Sequence, residues 1–177
     1  MLRSLLFLLP AFFLLGMAPV TISFVDTKTV VFKKELLEKG ARQDMHWAWD
    51  NSVRCFPGYE QAKFGGNQVV YKIEMAPFQE ITILLKPKKK KTRLNLYAYQ
   101  VEQELSASAP DPQQIISCVA DYIPEHKKRQ KSKQKNSRML KMLSLATPYI
   151  LYIGVAGEQD IHSGVYKLEI SSRKFGG

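Results

Sequence analysis

Period-two alternation dominates the middle of the chain. Val69, Tyr71, Ile73 and Met75 fall on one face of an extended segment, and Val70, Lys72 and Glu74 on the other. Ile81, Ile83 and Leu85 repeat the arrangement in the next run. β-Branched and aromatic residues at this spacing mark half-buried strands. Residues 76–79 (APFQ) supply a turn between the two runs, so the pair reads as a hairpin. Arg93 to Val101 (RLNLYAYQV) reads as a third strand with apolar or aromatic groups on both faces, as expected inside a sandwich. Around this centre the signals are shorter. Thr27 to Phe32 reads as a first strand and Lys33 to Ala41 as one helical turn or a polar connection. Residues 42–66 read as irregular, with room for one short strand, and Glu102 to Gln114 as a loop. Ile115 to Tyr122 reads as a short strand, and Arg138 to Leu145 (RMLKMLSL) as a strand with Met139, Leu143 and Leu145 inward, the alternative being a helical turn and a half. Tyr149 to Val155 and Val165 to Ile170 are strands joined by a turn containing Gly157 and Gly164. There is no internal repeat. Seven or eight short antiparallel strands without a long helical period predict an all-β sandwich.

The strand order resembles the bacterial pre-peptidase C-terminal domain, a small jelly-roll-like β-sandwich. The residues carrying the resemblance are Gly66, Tyr71 and Ile73, then Ile81 and Ile83, then Leu94, Leu96 and Tyr97. The last two strands match best: Tyr149 to Ile153 and Gly157, followed by Gly164, Tyr166, Leu168 and Ile170 in a Gly-x-Tyr-x-Leu-x-Ile pattern. The resemblance covers roughly residues 66–170. It implies a non-catalytic exported module of the kind attached to secreted peptidases, here standing alone. That family carries acidic residues just before its Leu-Tyr strand; this chain has Lys91, Thr92 and Arg93 there, so a ligand or calcium role is not carried over.

The N-terminus sets the compartment. Arg3 precedes an apolar core from Leu5 to Leu15, and no charge returns until Asp26, so residues 1–25 read as a signal peptide or a transmembrane anchor. Residues 26–177 then form the exported domain behind this hydrophobic helix. A cut after Ala18 has Gly16 and Ala18 as small residues but Pro19 following; a cut after Ser23, with Thr21, is weaker. Retention as an anchor would use the roughly 20 apolar residues that span a bilayer, attaching the protein to a membrane. Export makes Cys55 and Cys118 candidates for a disulfide, against two buried thiols or one reactive thiol. Two cysteines also exclude a four-cysteine zinc site, and no cofactor is implied.

Charge is the most unusual feature. Of 26 basic residues, 14 fall in two runs without an acid, leaving 12 against 16 acidic ones elsewhere, net −4. The first run is Lys86, Lys88, Lys89, Lys90, Lys91 and Arg93; the second holds Lys127, Lys128, Arg129, Lys131, Lys133 and Lys135, then Arg138 and Lys141. On the strand reading the first is a hairpin tip and the second a long loop. Excess this local is what a binding footprint for anionic lipid, lipopolysaccharide or acidic polysaccharide requires. The competing reading is solvated lysine loops that keep sheet edges apart. Nucleic acid is disfavoured, because only Tyr97, Tyr99 and Tyr122 lie near the runs as stacking platforms. The oligomeric state has no signature in the pattern.

Catalytic motifs are missing. His46, His126 and His162 sit in separate loops or turns, and there is no phosphate-cradling glycine loop, HExxH or G-x-S-x-G. The one catalytic arrangement to weigh is Cys55 as a thiol nucleophile with His46 as its base. Trp47 and Trp49 read as core or edge packing ahead of sugar stacking. The expectation is therefore a non-catalytic exported module that contacts anionic polymers through its lysine-rich loops, the alternative being an envelope assembly component with no ligand of its own.

Overall fold

Among the described residues ten strands form two sheets. They are β1 (Val20–Ile22), β2 (Val30–Glu35), β3 (Ala41–Arg42), β4 (Asn67–Met75), β5 (Gln79–Pro87), β6 (Leu94–Val101), β7 (Ile115–Asp121), β8 (Arg138–Ser144), β9 (Tyr149–Gly157) and β10 (Val165–Lys174). The structure is a computed structural model that describes residues 19–22, 30–35, 40–89, 91–105, 110–124 and 137–175. One sheet has the order β1-β4-β9-β6-β7, with β3 also pairing to β4; the other is β2-β10-β5-β8. Every pairing is antiparallel except β1 with β4.

Alternation builds the core between the sheets. Tyr71, Ile73 and Met75 from β4 face Ile81, Ile83 and Leu85 from β5 and Tyr166, Leu168 and Ile170 from β10, all essentially inaccessible. Within this aliphatic layer the Tyr71 and Tyr166 hydroxyls meet at 2.5 Å, joining the sheets by one hydrogen bond. A buried hydroxyl without a partner would cost roughly 1–3 kcal/mol, so the pair keeps both tyrosines inside.

The expected all-β sandwich is present; β2 runs on as strand through Lys33–Glu35, where a helical turn or polar connection is expected, because those residues pair with β10, and three further details differ. First, the expected hairpins are arches. β4 and β5 belong to different sheets, as do β5 and β6, and β9 and β10. Alternation fixes which face looks at the core, and both a lateral neighbour and a partner across the sandwich satisfy it. Second, β8 presents its other face. Leu140 lies opposite Ile83 and Met142 opposite Ile81, so the even positions go inward. Met139, Leu143 and Leu145 are 54%, 50% and 64% exposed. A strand's faces exchange on a one-residue shift, and here pairing to β5 sets the register over the larger apolar set. Third, β1 lies inside residues 1–25, the stretch read as leader: Ile22 is buried in the sandwich core and Val20 packs against it. The hydrophobic N-terminal helix itself falls on residues 1–18, outside the described residues. Among the described residues no helix is long and apolar enough to cross a membrane.

β6 is buried along its whole length because the six-stranded sheet is covered on its outer side too. Residues 45–64, which include the 3-10 turns His46–Trp49 and Gly58–Phe64, form this cap. Trp47, Phe56 and Phe64 pack on Tyr97, Tyr99 and Tyr152. Phe56 and Phe64 stack with centroids 4.2 Å apart, and Trp47 meets Tyr99 edge-on at 4.8 Å. The Gln68 amide donates to the Phe64 carbonyl at 2.8 Å, and the Asn95 amide to the Lys63 carbonyl at 2.6 Å. Cys55 and Cys118 form a disulfide, with Cα atoms 4.9 Å apart, that bonds the cap to β7. Gly154 is required here, because a Cβ would lie 1.9 Å from the Tyr97 ring.

Candidate functional site

Strand direction sorts the connections by end. β4 and β6 run one way in their sheet and β9 and β7 the other. Arg138 lies opposite Leu85, Tyr166 opposite Pro87, and Asp121 opposite Leu96. The connections β5–β6 (88–93), β7–β8 (122–137) and β9–β10 (158–164) therefore leave and re-enter at one end of the sandwich. By sequence they hold eleven basic residues against three acidic ones. The connections at the far end, 76–78, 102–114 and 145–148, hold no basic residue and three acids, Glu102, Glu104 and Asp111.

The first basic run is not uniform. Lys86 is on the outer face of β5 and pairs with Glu169 at 3.0 Å. Arg93 pairs with Glu158 at 2.8 Å, and buried Lys63 of the cap reaches the same carboxylate at 3.3 Å. Burial lowers the Arg138 guanidinium, opposed by Asp121 and Glu158 nearby. Glu158 is thus engaged by cations of its own fold. Lys88, Lys89 and Lys91 are exposed on the arch, held by Lys88 N–H to the Val165 carbonyl (2.8 Å) and Thr92 N–H to the Lys89 carbonyl (3.0 Å). Lys90, Lys127, Lys128, Arg129, Lys131, Lys133, Lys135 and His126 lie outside the described residues. What is described is where their segment begins and ends: Pro124 and Ser137 flank it at the end that carries the arch.

A cleft of about 530 Å³ opens on the cap at the same end. Arg42, Asp44, His46, Trp49, Gln61 and Gln159 line it. Asp44 accepts a hydrogen bond from the His46 backbone N–H at 3.0 Å and sits 3.1 Å from its Nδ1. The His46 ring is 5.0 Å from Trp49, which also lies 5.8 Å from the Phe56 ring and beside Gly58, where an added Cβ would come within 3.4 Å of the indole. Gln159 donates its N–H to the Ala62 carbonyl at 2.8 Å, joining the β9–β10 connection to the cap. No motif in the sequence marks this site. Its only signal was the tryptophan pair in a segment without period, and the two residues diverge: Trp47 is buried and Trp49 half-buried at the cleft.

Two other expectations are decided by these contacts. Tyr97 and Tyr99, offered as stacking platforms beside the first run, are 2% and 3% exposed beneath the cap. Burial pushes both phenols well above their ordinary range. The Cys55/His46 thiol pair has no thiol, since Cys55 is bonded to Cys118. Among the described residues no group of three or more His, Cys, Asp or Glu side chains is arranged to hold a metal ion.

No family model matches the chain, and no curated protein matches it in sequence. Solved structures similar to it include the pre-peptidase C-terminal domain of collagenase from Bacillus anthracis, at 12% identity and a TM-score of 0.40, covering 88% of this chain and 95% of that one. The family that the strand pattern resembles is thus among them. PliG of Aeromonas hydrophila, a periplasmic lysozyme inhibitor of g-type lysozyme, aligns at 10% identity and 0.44 over 88% of this chain and 96% of that one. CorA, a surface-associated copper-binding protein of Methylomicrobium album BG8, aligns at 10% and 0.43 over 89% and 99%.

Proposed function

We propose that this protein is an exported, non-catalytic β-sandwich module that holds anionic polymers at its lysine-rich end. The observation that carries the reading is that the arch of the first basic run and the two flanks of the second run's segment, Pro124 and Ser137, lie at the same end of the fold. Lys88, Lys89 and Lys91 are exposed there, whereas the neighbouring acid Glu158 is engaged by Lys63 and Arg93. Fields of one sign concentrated in this way attract polyanions and release their counterions on contact.

Export is supported by the leader and by the disulfide, which persists in oxidising compartments. The periplasm or the cell surface is the location that fits. With Val20–Ile22 built into the sandwich, the uncharged stretch left to a membrane is Ser4 to Pro19, 16 residues. That is shorter than the roughly 20 needed for a span, which favours a removed leader over an anchor. Of the two cuts, the one after Ala18 keeps β1, and intact mass of the exported protein checks it: a product starting at Phe24 would contradict the strand's place in the domain.

Retention on immobilised heparin in rising salt tests the binding reading. Screening at 0.15 M ionic strength acts over about 8 Å, so retention should fall steeply across this range. Replacing Lys88, Lys89, Lys90 and Lys91 with Gln should shift elution to clearly lower salt. Unchanged elution of this variant, with unchanged circular dichroism, would overturn the proposal.

A further inference from the structure

The cleft beside the cationic end has a chemistry that charge alone does not need. We infer that it seats one sugar ring of an acidic polysaccharide, while the exposed Lys88, Lys89 and Lys91 of the neighbouring arch hold the flanking anionic groups. The inference rests on the binding role proposed above and names its ligand class.

A pyranose has an apolar face of C–H groups and a rim of hydroxyls that donate and accept. Trp49 supplies an aromatic surface at the cleft, backed by Phe56 and Gly58. Exposed Gln61 and Gln159 supply amides, which both donate and accept, from two segments that the Gln159-to-Ala62 hydrogen bond holds together. Asp44 adds an acceptor and Arg42 a planar guanidinium suited to a carboxylate or sulfate. The volume of about 530 Å³ is within the usual range of small-molecule sites. Gln159 directly follows Glu158, the carboxylate that holds Arg93 of the first basic run, so a chain leaving the cleft meets the arch.

A bilayer fits less well. Lipid insertion uses apolar side chains beside the cations, yet Phe78, Ile116, Leu143 and Leu145, four of the six exposed large apolar residues described, lie toward the opposite end.

The full chain is titrated with a heparin hexasaccharide, with linear polyphosphate, and with vesicles containing phosphatidylglycerol. Two hydrogen-bonding groups are removed in the double variant Gln61→Ala, Gln159→Ala, whose positions are exposed and leave the cap intact. Its hexasaccharide Kd should rise about tenfold while its polyphosphate Kd stays within about twofold. Trp49→Ala should weaken the saccharide further, read beside its circular dichroism. If both ligands respond equally to the double variant, or neither does, or only the vesicles bind, the cleft inference is overturned and the charged end stands alone. If the wild-type chain binds none of the three, the binding role falls with it.

Discussion

The two sheets of this protein treat their outer faces in opposite ways. The six-stranded sheet is roofed by an aromatic cap, bonded to it through Cys55–Cys118. Among the described residues the four-stranded sheet carries ion pairs on its outer face, beside the exposed Met139 and Leu143. Glu169 lies between Lys86 and Lys167, and Glu80 between Lys141 and Arg173. Its edge strand β8 is shielded from the side by the other sheet: Asp121 accepts from the Met139 N–H at 2.7 Å, and the Gln100 amide donates to the Leu143 carbonyl at 2.9 Å. One face therefore draws stability from burial, and the other draws little beyond solubility. The cap is a second core, and the cleft lies at its margin, where the β9–β10 connection is bonded to it.

Removing the disulfide should break this contrast most severely. Serine at Cys55 and Cys118 opens a loop of 63 residues, worth about 4 kcal/mol in the chain-entropy model. Denaturant unfolding should show the loss, with near-ultraviolet circular dichroism of the cap aromatics falling first. Gly154→Ala comes next, since its Cβ would strike the Tyr97 ring; overpacking of this kind costs about 1–3 kcal/mol, read as a lower unfolding midpoint.

Alkaline pH sharpens the comparison further. Burial raises the phenols of Tyr97 and Tyr99 under the cap, and of Tyr71 and Tyr166 between the sheets, above 10.0. A raised folded-state pKa gives stability that is whole below pH 10 and lost as pH climbs toward the folded values. Each phenol should remove up to about 1.4 kcal/mol per pH unit above 10, so phenolate absorbance and unfolding should rise together. The ion-paired face has no tyrosine among the described residues and should not contribute. Smallest of all, Glu80→Gln and Glu169→Gln should each lower stability by less than about 1 kcal/mol, vanishing at high salt. Lys167 and Lys86 hold the Glu169 carboxyl below its ordinary 4.5. Its contribution is therefore present at neutral pH and disappears as pH falls through that lowered value.

Legibility from sequence divides along the same line. Period-two runs revealed β4 and β5 and the shared face of each, because a half-buried strand must alternate, whereas β9 and β10 were legible only as strands. The two-sided apolarity of Leu94 to Val101 gave away a strand covered on both faces. The arches were hidden, since alternation carries no information on which sheet a strand joins. The outward Met139 and Leu143 were hidden because β5, not β8 itself, sets that register. The cap has no helical or strand period, being built from short 3-10 turns, so only its aromatic content hinted at a core. The basic runs were obvious in sequence, yet that the arch of the first and the flanks of the second share one end follows only from strand direction. Gln61 and Gln159 have no local signature at all; the fold brings them together.

The most direct measurement is lysine footprinting. The full chain is treated with an acylating reagent with and without a heparin hexasaccharide, and modification is mapped by mass spectrometry. Protection should appear together at Lys88, Lys89, Lys90 and Lys91 and at Lys127, Lys128, Lys131, Lys133 and Lys135, with Lys167 and Lys174 unchanged. Protection of only one run, or equal protection across all lysines, would contradict a single cationic end.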